Sequence, residues 1–516
     1  MPDKSRIPDK PRNILFITTD QQRRDSLSCY GLQFMQTPAL HRLAEEGCVF
    51  DQCCSAAPVC EPVRASFLLG QYPHVHGVVD NFRWIRPGSP TIPRLFDAAG
   101  WNTAAIGKMH FYPWDNTEGF ADRVIAEDKR HIHRRDHWTL FLEEHGYSRD
   151  HPAMVPGYRD DLGAIVSPLP EEMHIDSFIG DQAVRWIQER AEDPFFAWVS
   201  FNSPHDPYDP PASLAHLYED APIPEPVGSA EELSGKPPYQ RAITRFYTDH
   251  PLYLTDYTRM STRQIRRMRE RYLATVTLVD RQVGRILQAL ESRGLLDSTL
   301  VVFSSDHGDH LGDHGLPFKL TFYESSLMVP LIARGPGVAR GTRSSAFVSW
   351  LDLHATFLAA AGIERPDHAQ GREIPALLAA PEGTGDSEET DEPQEAYSEL
   401  IGRTMVKTRT HKLVLCDDGS GELYDLAEQP QEVHNHFAGL GGGLQFNKGN
   451  TVAADLVVGL VEIKTGQGKG LYVSFISIGH ERGLHREAAH QAFAGREAVF
   501  VHKPNRKDGY ILAIGH

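Results

Sequence analysis

Nowhere in the chain do apolar residues run for the roughly 18 to 20 positions that a membrane-crossing helix needs. Mean hydropathy is correspondingly low, at −0.38. The opening MPDKSRIPDKPRN is polar and proline-containing, without the apolar stretch or small-residue cleavage site of a secretory leader, so a cytoplasmic location is expected. Positive charge is also in short supply. Against 69 Asp and Glu there are only 52 Lys and Arg, a net charge of −17. Such a chain lacks the broad basic field that nucleic acid selects, although a local cationic pocket for a small anion remains compatible with it. Cysteine is sparse, with six residues at 29, 48, 53, 54, 60 and 416 and no repeated C-x-x-C pair, which argues against structural zinc. Cys48, Cys53 and Cys54 read as small buried hydrophobes. No internal repeat of solenoid or propeller length is present.

What the chain does have is alternation. NILFITTDQQ (13–22) is a short apolar run rich in β-branched residues that ends at Asp20, the pattern of a buried strand. A helix and then a strand follow in TPALHRLAEEGCVF, and again in TIPRLFDAAGWNTAAIGKMHF (91–111), which delivers Lys108 and His110. PFFAWVSFNSPHDPY (194–208) reads as a strand leading to His205. Apolar residues at 265, 268, 272, 276, 279, 283, 286 and 290 predict one long amphipathic helix. STLVVFSSDHGDHLGDHG then ends a strand in Asp306 and His307. Strands alternating with helices predict an α/β fold with a largely parallel sheet covered on both faces, whose site lies at the carboxyl ends of the strands. Residues 209–262, rich in Pro and Tyr with little periodicity, read as an excursion near that site. The organisation expected is a catalytic domain over 1–375, an acidic flexible linker at 376–395 and a smaller domain over 396–516 containing the hairpin HKLVLCDDGSGELYDL.

The strand-end residues have definite chemistry. Asp20 and Asp306 offer carboxylates, Gln21 an amide oxygen and His307 an imidazole, a plausible set for one Ca²⁺, Mg²⁺ or Mn²⁺ ion. Each pair read singly is more often a turn or a cap. PVCEPVRASFLLG (58–70) is more specific. Pro62 suits the first turn of a helix, and so places Cys60 at the helix N-terminus, where backbone N–H groups favour an anion or lower a thiol pKa. Arg64, one turn on, adds fixed positive charge. By residue chemistry alone, Cys60 is open to four readings: disulfide partner, metal ligand, thiol nucleophile or precursor of something else. RHIHRRDHW (130–138) reads as a solvated charged face ahead of a cationic subsite.

Taken together, CEPVR (60–64), GKMH (107–110), SPHDP (203–207), SSDHGDHLGDHG (304–315) and FK (318–319) resemble, in order, the blocks of type I sulfatases of the alkaline phosphatase superfamily, over roughly residues 12–436. The wording is most similar to the bacterial subgroup of choline sulfatases and phosphonate monoester hydrolases. The resemblance implies an alkaline-phosphatase-like mixed sheet flanked by helices, with a smaller C-terminal α+β domain. It implies that a formylglycine-generating enzyme converts Cys60 to an aldehyde, whose hydrate attacks sulfur and then collapses to expel sulfate. It further implies one divalent cation, Ca²⁺ ahead of Mn²⁺ or Mg²⁺, on Asp20, Gln21, Asp306 and His307. Arg64 and Lys108 would stabilise developing charge, His110 would be the base for collapse, and His205 with Lys319 would bind sulfate and protonate the leaving oxygen. The implied substrate is a small anionic ester (an aryl, choline-like or carbohydrate sulfate), with phosphonate monoesters or phosphodiesters the alternative. No nucleic-acid or membrane partner is expected, and a homo-oligomer is left open.

Two features depart from the common family pattern. That pattern has two acids where this chain has Asp20 and Gln21, and an Asn where it has His307. Residues 437–516, with strand-like stretches between Gly-rich turns, have no family counterpart.

Overall fold

The computed structural model describes residues 10–190, 194–378 and 395–437, together with the backbone of three strands beyond them. Eight strands build the central sheet: β1 (Asn13–Asp20), β2 (Cys48–Cys53), β3 (Asn102–Gly107), β4 (Asp122–Ile125), β5 (Phe195–Pro204), β6 (Thr299–Ser305), β7 (Leu331–Arg334) and β8 (Thr342–Val348). Their order is β4-β3-β5-β1-β6-β7-β2-β8. The five strands from β4 to β6 are mutually parallel. β7 alone runs against both its neighbours, which makes the sheet mixed.

β1 shows why the strands read as unbroken apolar runs. Leu15 and Ile17 enter the hydrophobic cluster on one face, with helices Ile175–Glu189 and Thr262–Ser292. Ile14 and Phe16 enter the cluster on the other, with helices Cys60–Leu69 and Trp350–Ala361. Side chains alternate across a strand, so covering both faces requires apolar residues at every position. The long helix runs over Thr262–Ser292, as its periodicity predicts. It is started by a capping box in which Ser261 Oγ accepts from Gln264 N–H and Gln264 Oε1 accepts from Ser261 N–H. Several helices escaped the sequence reading, among them Ile175–Glu189, Trp350–Ala361 and one inside the excursion. Pro238–Asp249 lies within the Pro- and Tyr-rich excursion and buries Gln240, Ile243 and Tyr247, a one-sided stripe with a polar member.

A second sheet, antiparallel and four-stranded, comprises β9 (Ala396–Leu400), β10 (Arg403–Lys407), β11 (His411–Cys416) and β12 (Gly421–Asp425). β11 and β12 are the hairpin expected from HKLVLCDDGSGELYDL. The sequence reading placed this sheet in a separate domain over 396–516. Instead, the compact units are Met1–Asn435 and His436–His516. Ala396, Leu400, Met405 and Val414 share a buried cluster with Cys54, Phe322, Leu327 and Phe347, which ties the second sheet to the larger unit. Residues 379–394 of the expected acidic linker lie outside the described residues. The second unit contains an antiparallel sheet of β13 (Val457–Lys464), β14 (Gly470–Ile478) and β15 (Gly509–Gly515). Among the described residues, no helix is long and apolar enough to cross a membrane.

Candidate active site

Strand register assembles the centre of the site. β1 and β6 are neighbours with Thr19 opposite Ser305, so the next residues on each, Asp20 and Asp306, emerge side by side at the carboxyl edge. Gln21 then turns through a left-handed backbone (φ 70°) and donates its N–H to Asp306 Oδ1 at 2.9 Å. Opposite them begins the helix Cys60–Leu69, buried along its whole length and closed by Gly70 at φ 64°. Its first residue aims its sulfur at the strand ends. Cys60 Sγ lies 3.6 Å from Asp20 Oδ1, 3.2 Å from His307 Nε2 and 3.0 Å from Lys319 Nζ.

The helix N-terminus does not make Cys60 a thiolate. Burial, and then the Asp20 charge, push the thiol up to about 12, outweighing the lowering by Lys319. A protonated, fully buried thiol is a poor nucleophile. None of the six cysteines is disulfide-bonded. Cys48, Cys53 and Cys54 are buried among apolar neighbours, as expected.

Fixed charges surround the sulfur. Every nitrogen of the buried Arg64 guanidinium is engaged: Nε with Asp306, one terminal nitrogen with Asp20 at 3.2 Å, the other with the Lys108 carbonyl and Ser200 Oγ. Arg64 thereby clamps both strand-end carboxylates. Lys108 Nζ is 2.9 Å from Asp20 Oδ2 and has no aligned hydrogen bond to any protein acceptor. Burial opposes ionisation of Asp20, yet Lys108, Arg64 and Lys319 together hold its carboxyl well below the usual range. His205 donates Nδ1–H to the Asp206 carbonyl at 2.7 Å, which leaves Nε2 facing Asp20 Oδ1 at 3.9 Å. Burial, reinforced by Lys108 and Lys319, keeps it neutral. His110, also left-handed (φ 57°), places Nε2 3.3 Å from Glu61 Oε1, while its Nδ1 is buried without a partner. All ten residues singled out from the sequence therefore converge on one edge of the sheet.

The donor set fits a divalent cation. Asp20, Cys60, Asp306 and His307 can each bring a ligand atom within 4.8 Å of the others. His307 Nδ1 donates to the Gly308 carbonyl at 3.0 Å, which leaves Nε2 as the inward lone pair, and burial pushes the ring down to about 4. Gln21 Oε1 faces the same centre, where Lys319 Nζ donates to it at 2.8 Å. Oxygen ligands with one imidazole suit a hard ion.

Several residues escaped the sequence reading. Arg130 was grouped with a solvated face, yet it is buried, pairing with Asp128 and, at 2.7 Å, with Asp206. Asp128 in turn lies 3.9 Å from both Lys108 Nζ and His205 Nδ1. Glu127 accepts the backbone N–H groups of Met109 and His110. Glu61 and Asp309 complete the group. Two of them lie inside family blocks already quoted, Glu61 in CEPVR and Asp309 in SSDHGDHLGDHG.

Strand ends that gather two carboxylates, an imidazole and a buried cysteine among fixed cations define a hydrolase of anionic esters. The family model described as Sulfatase matches residues 12–363, more than half of the chain, and the chain belongs to that family. A model described as N-sulphoglucosamine sulphohydrolase, C-terminal, matches residues 312–441. The chain is 30% identical to a choline-sulfatase of Rhizobium meliloti (strain 1021) over 441 residues, covering 82% of each. It is 28% identical to an arylsulfatase of Clostridium perfringens, over 82% of this chain and 89% of that one. The solved phosphonate monoester hydrolase of Agrobacterium radiobacter shares the fold with a TM-score of 0.71, at 24% identity over 83% of this chain and 91% of the other.

Proposed function

We propose that this sulfuric ester hydrolase acts on small sulfate monoesters through Cys60 matured to formylglycine. The divalent cation, Ca²⁺ ahead of Mn²⁺ or Mg²⁺, would be held by Asp20, Gln21, Asp306 and His307. One observation carries the reading: Cys60 opens a buried helix with its sulfur 3.0 Å from Lys319 Nζ and 3.2 Å from His307 Nε2, where a nucleophile belongs. Its C-x-P-x-R context fits conversion to an aldehyde. The hydrated aldehyde supplies one hydroxyl to attack sulfur and a second whose deprotonation releases sulfate. The cation supplies Lewis-acid activation and charge neutralisation.

This chain's own residues would divide the remaining work. Arg64 holds the Asp20 and Asp306 carboxylates in place. Lys108, raised above the usual lysine range because Asp20 and Asp128 outweigh burial, and Lys319 beside it present fixed positive charge to the transferring group. Lys319 also has protons to give the leaving oxygen, while His205, whose Nδ1–H is engaged by the Asp206 carbonyl, would bind sulfate through Nε2 in its protonated form. His110, neutral because burial and Lys108 hold it down, is free to take the proton that triggers collapse. Substrates fit the choline-like and aryl sulfates named by those two relatives, and the carbohydrate sulfates named by an N-acetylglucosamine-6-O-sulfatase of Bacteroides thetaiotaomicron to which the chain is 28% identical. Phosphonate monoesters form the second reading, favoured by the fold shared with the phosphonate monoester hydrolase.

The test is the mass of the tryptic peptide carrying residue 60, from protein made alongside a formylglycine-generating enzyme. An aldehyde there, with matched sulfate and phosphonate esters then ranking the substrates, is the expected result. Full ester turnover by protein whose Cys60 remains a thiol would overturn the reading.

A further inference from the structure

Gln21 stands where the common sulfatase pattern has an acid, and that exchange creates a problem that a carboxylate does not have. A carboxylate presents the same atom type at both ends, whereas an amide is an acceptor at one end and a donor at the other. If Gln21 faced the cation with its NH₂ group, it would repel rather than bind.

The side chain's surroundings settle which end faces inward. Gln21 Nε2 donates to Asp309 Oδ2 at 2.6 Å, while Gln21 Oε1 accepts from Lys319 Nζ at 2.8 Å. A carboxylate only accepts and an ammonium only donates, so the two bonds are mutually consistent in one orientation alone. Asp309 is itself fixed. Its Oδ1 accepts from Leu311 N–H at 2.9 Å, and its Oδ2 accepts a second bond, from Tyr208 O–H, at 2.6 Å. Asp309 is fully buried, and the Gln21 backbone is tied independently through its N–H to Asp306 and its carbonyl to Tyr272 O–H at 2.9 Å. The side-chain amide is thus the one element of Gln21 left for Asp309 to decide.

We infer that Asp309 is a positioning residue for the cation site. It locks the Gln21 amide so that Oε1 faces the ion, and it carries, one shell further out, the negative charge missing at position 21. The inference rests on the cation reading above, in which Gln21 is a ligand.

The test measures Ca²⁺ binding to the metal-stripped, full-length protein by calorimetry or chelator competition, without turnover. In Asp309→Asn, Leu311 N–H retains the amide oxygen and the new NH₂ group confronts Gln21 Nε2. Gln21 must then either keep that donor clash or turn its own NH₂ toward the ion. Ca²⁺ affinity is expected to fall about 10- to 100-fold, the usual effect of losing a partner that orients a ligand. Gln21→Glu alone sets two carboxylates against each other and is also expected to weaken binding. Combining the two changes restores a carboxylate facing a donor, and is expected to bring affinity back to within about threefold of wild type. A general packing defect would be deepened by the second change, not rescued.

Wild-type affinity in Asp309→Asn, or a double variant no better than the singles, would overturn the inference while leaving the metal reading intact. If Asp309→Asn does not fold, the double variant decides, since restored folding and Ca²⁺ binding are then the expected result and their absence overturns the inference. Wild-type protein that binds neither Ca²⁺ nor Mn²⁺ overturns the metal reading, and this inference with it.

Discussion

Two of the buried charge clusters among the described residues are built on opposite plans. Beneath the second sheet, Lys412 Nζ donates to the Phe322 carbonyl at 2.7 Å and to Glu324 and Glu432 at 2.6 Å each. An ammonium has three protons, and here each has an acceptor. Lys407 takes the second oxygen of Glu324, and Glu324 N–H takes the second oxygen of Glu432. At the strand ends the charges are as deeply buried, yet Lys108 Nζ, His110 Nδ1 and Glu61 Oε2 lack hydrogen-bond partners in the protein. An unmet buried polar group is destabilising. Beside Cys60 such groups face the carboxyl edge of the sheet, whereas Lys412 is satisfied within the protein. The first cluster is closed on itself, and the second is left open.

The comparison breaks most visibly at Lys319. Replacing it with Met removes an ammonium that touches Cys60, Gln21 and His307, and kcat/KM toward a sulfate ester is expected to drop roughly 10²- to 10³-fold. Steady-state kinetics on fully matured protein measure this, and a loss smaller than about fivefold would remove Lys319 from the reacting centre.

Lys412→Met should do the reverse. It leaves Glu324 and Glu432 without their shared cation, so denaturant unfolding is expected to show a loss of about 3–5 kcal/mol, as for a broken buried pair. The kcat of the molecules still folded should stay within about twofold of wild type. A variant of normal stability with impaired turnover would erase the distinction between the clusters.

Glu61 gives the smallest effect and the sharpest contrast. Burial, then the neighbouring Glu127 charge, push its carboxyl up to about 8. The native state therefore holds a proton that the unfolded chain has released above its ordinary value near 4.5. This contribution to stability is fully present below about pH 4.5 and is lost as pH rises through 8. Glu61→Gln, neutral at every pH, should flatten that part of the curve, so urea midpoints of the two proteins should diverge as pH rises from 5 to 9, with the variant the more stable. Because Glu61 faces His110, kcat should fall about tenfold with little change in KM, once the formylglycine fraction is matched by mass. Parallel stability curves together with unchanged kcat would return Glu61 to an ordinary helix-start residue.

Much of this was legible in the chain. The β1 and β6 runs, the long helix and the hairpin at 411–425 all appear where apolar period and turn residues place them, because these patterns are local. The ten residues that converge at the sheet edge could be named because each lies in a short motif, most of them at a strand end or helix start. Arg130 was misplaced because RHIHRRDHW looks like solvated charge, and nothing nearby in sequence shows that Asp206 awaits it 76 residues on. Asp309 could not be distinguished from the other acids of SSDHGDHLGDHG for the same reason, since its partner Gln21 lies 288 residues away. The second sheet was assigned to a separate domain because a stretch of acidic composition looks like a boundary, whereas the hydrophobic cluster that crosses it is long-range.

Residue order alone therefore sets which groups are available: the oxygen and imidazole donors, the cysteine in its C-x-P-x-R context, the cations and the strands that carry them. Their pairing arises only on folding. The parallel register of β1 and β6 brings Asp20 beside Asp306, burial drives the Cys60 thiol up and the His307 ring down, and Asp309 chooses which end of the Gln21 amide faces inward. Those effects depend on distance and dielectric, and neither is a property of a linear chain.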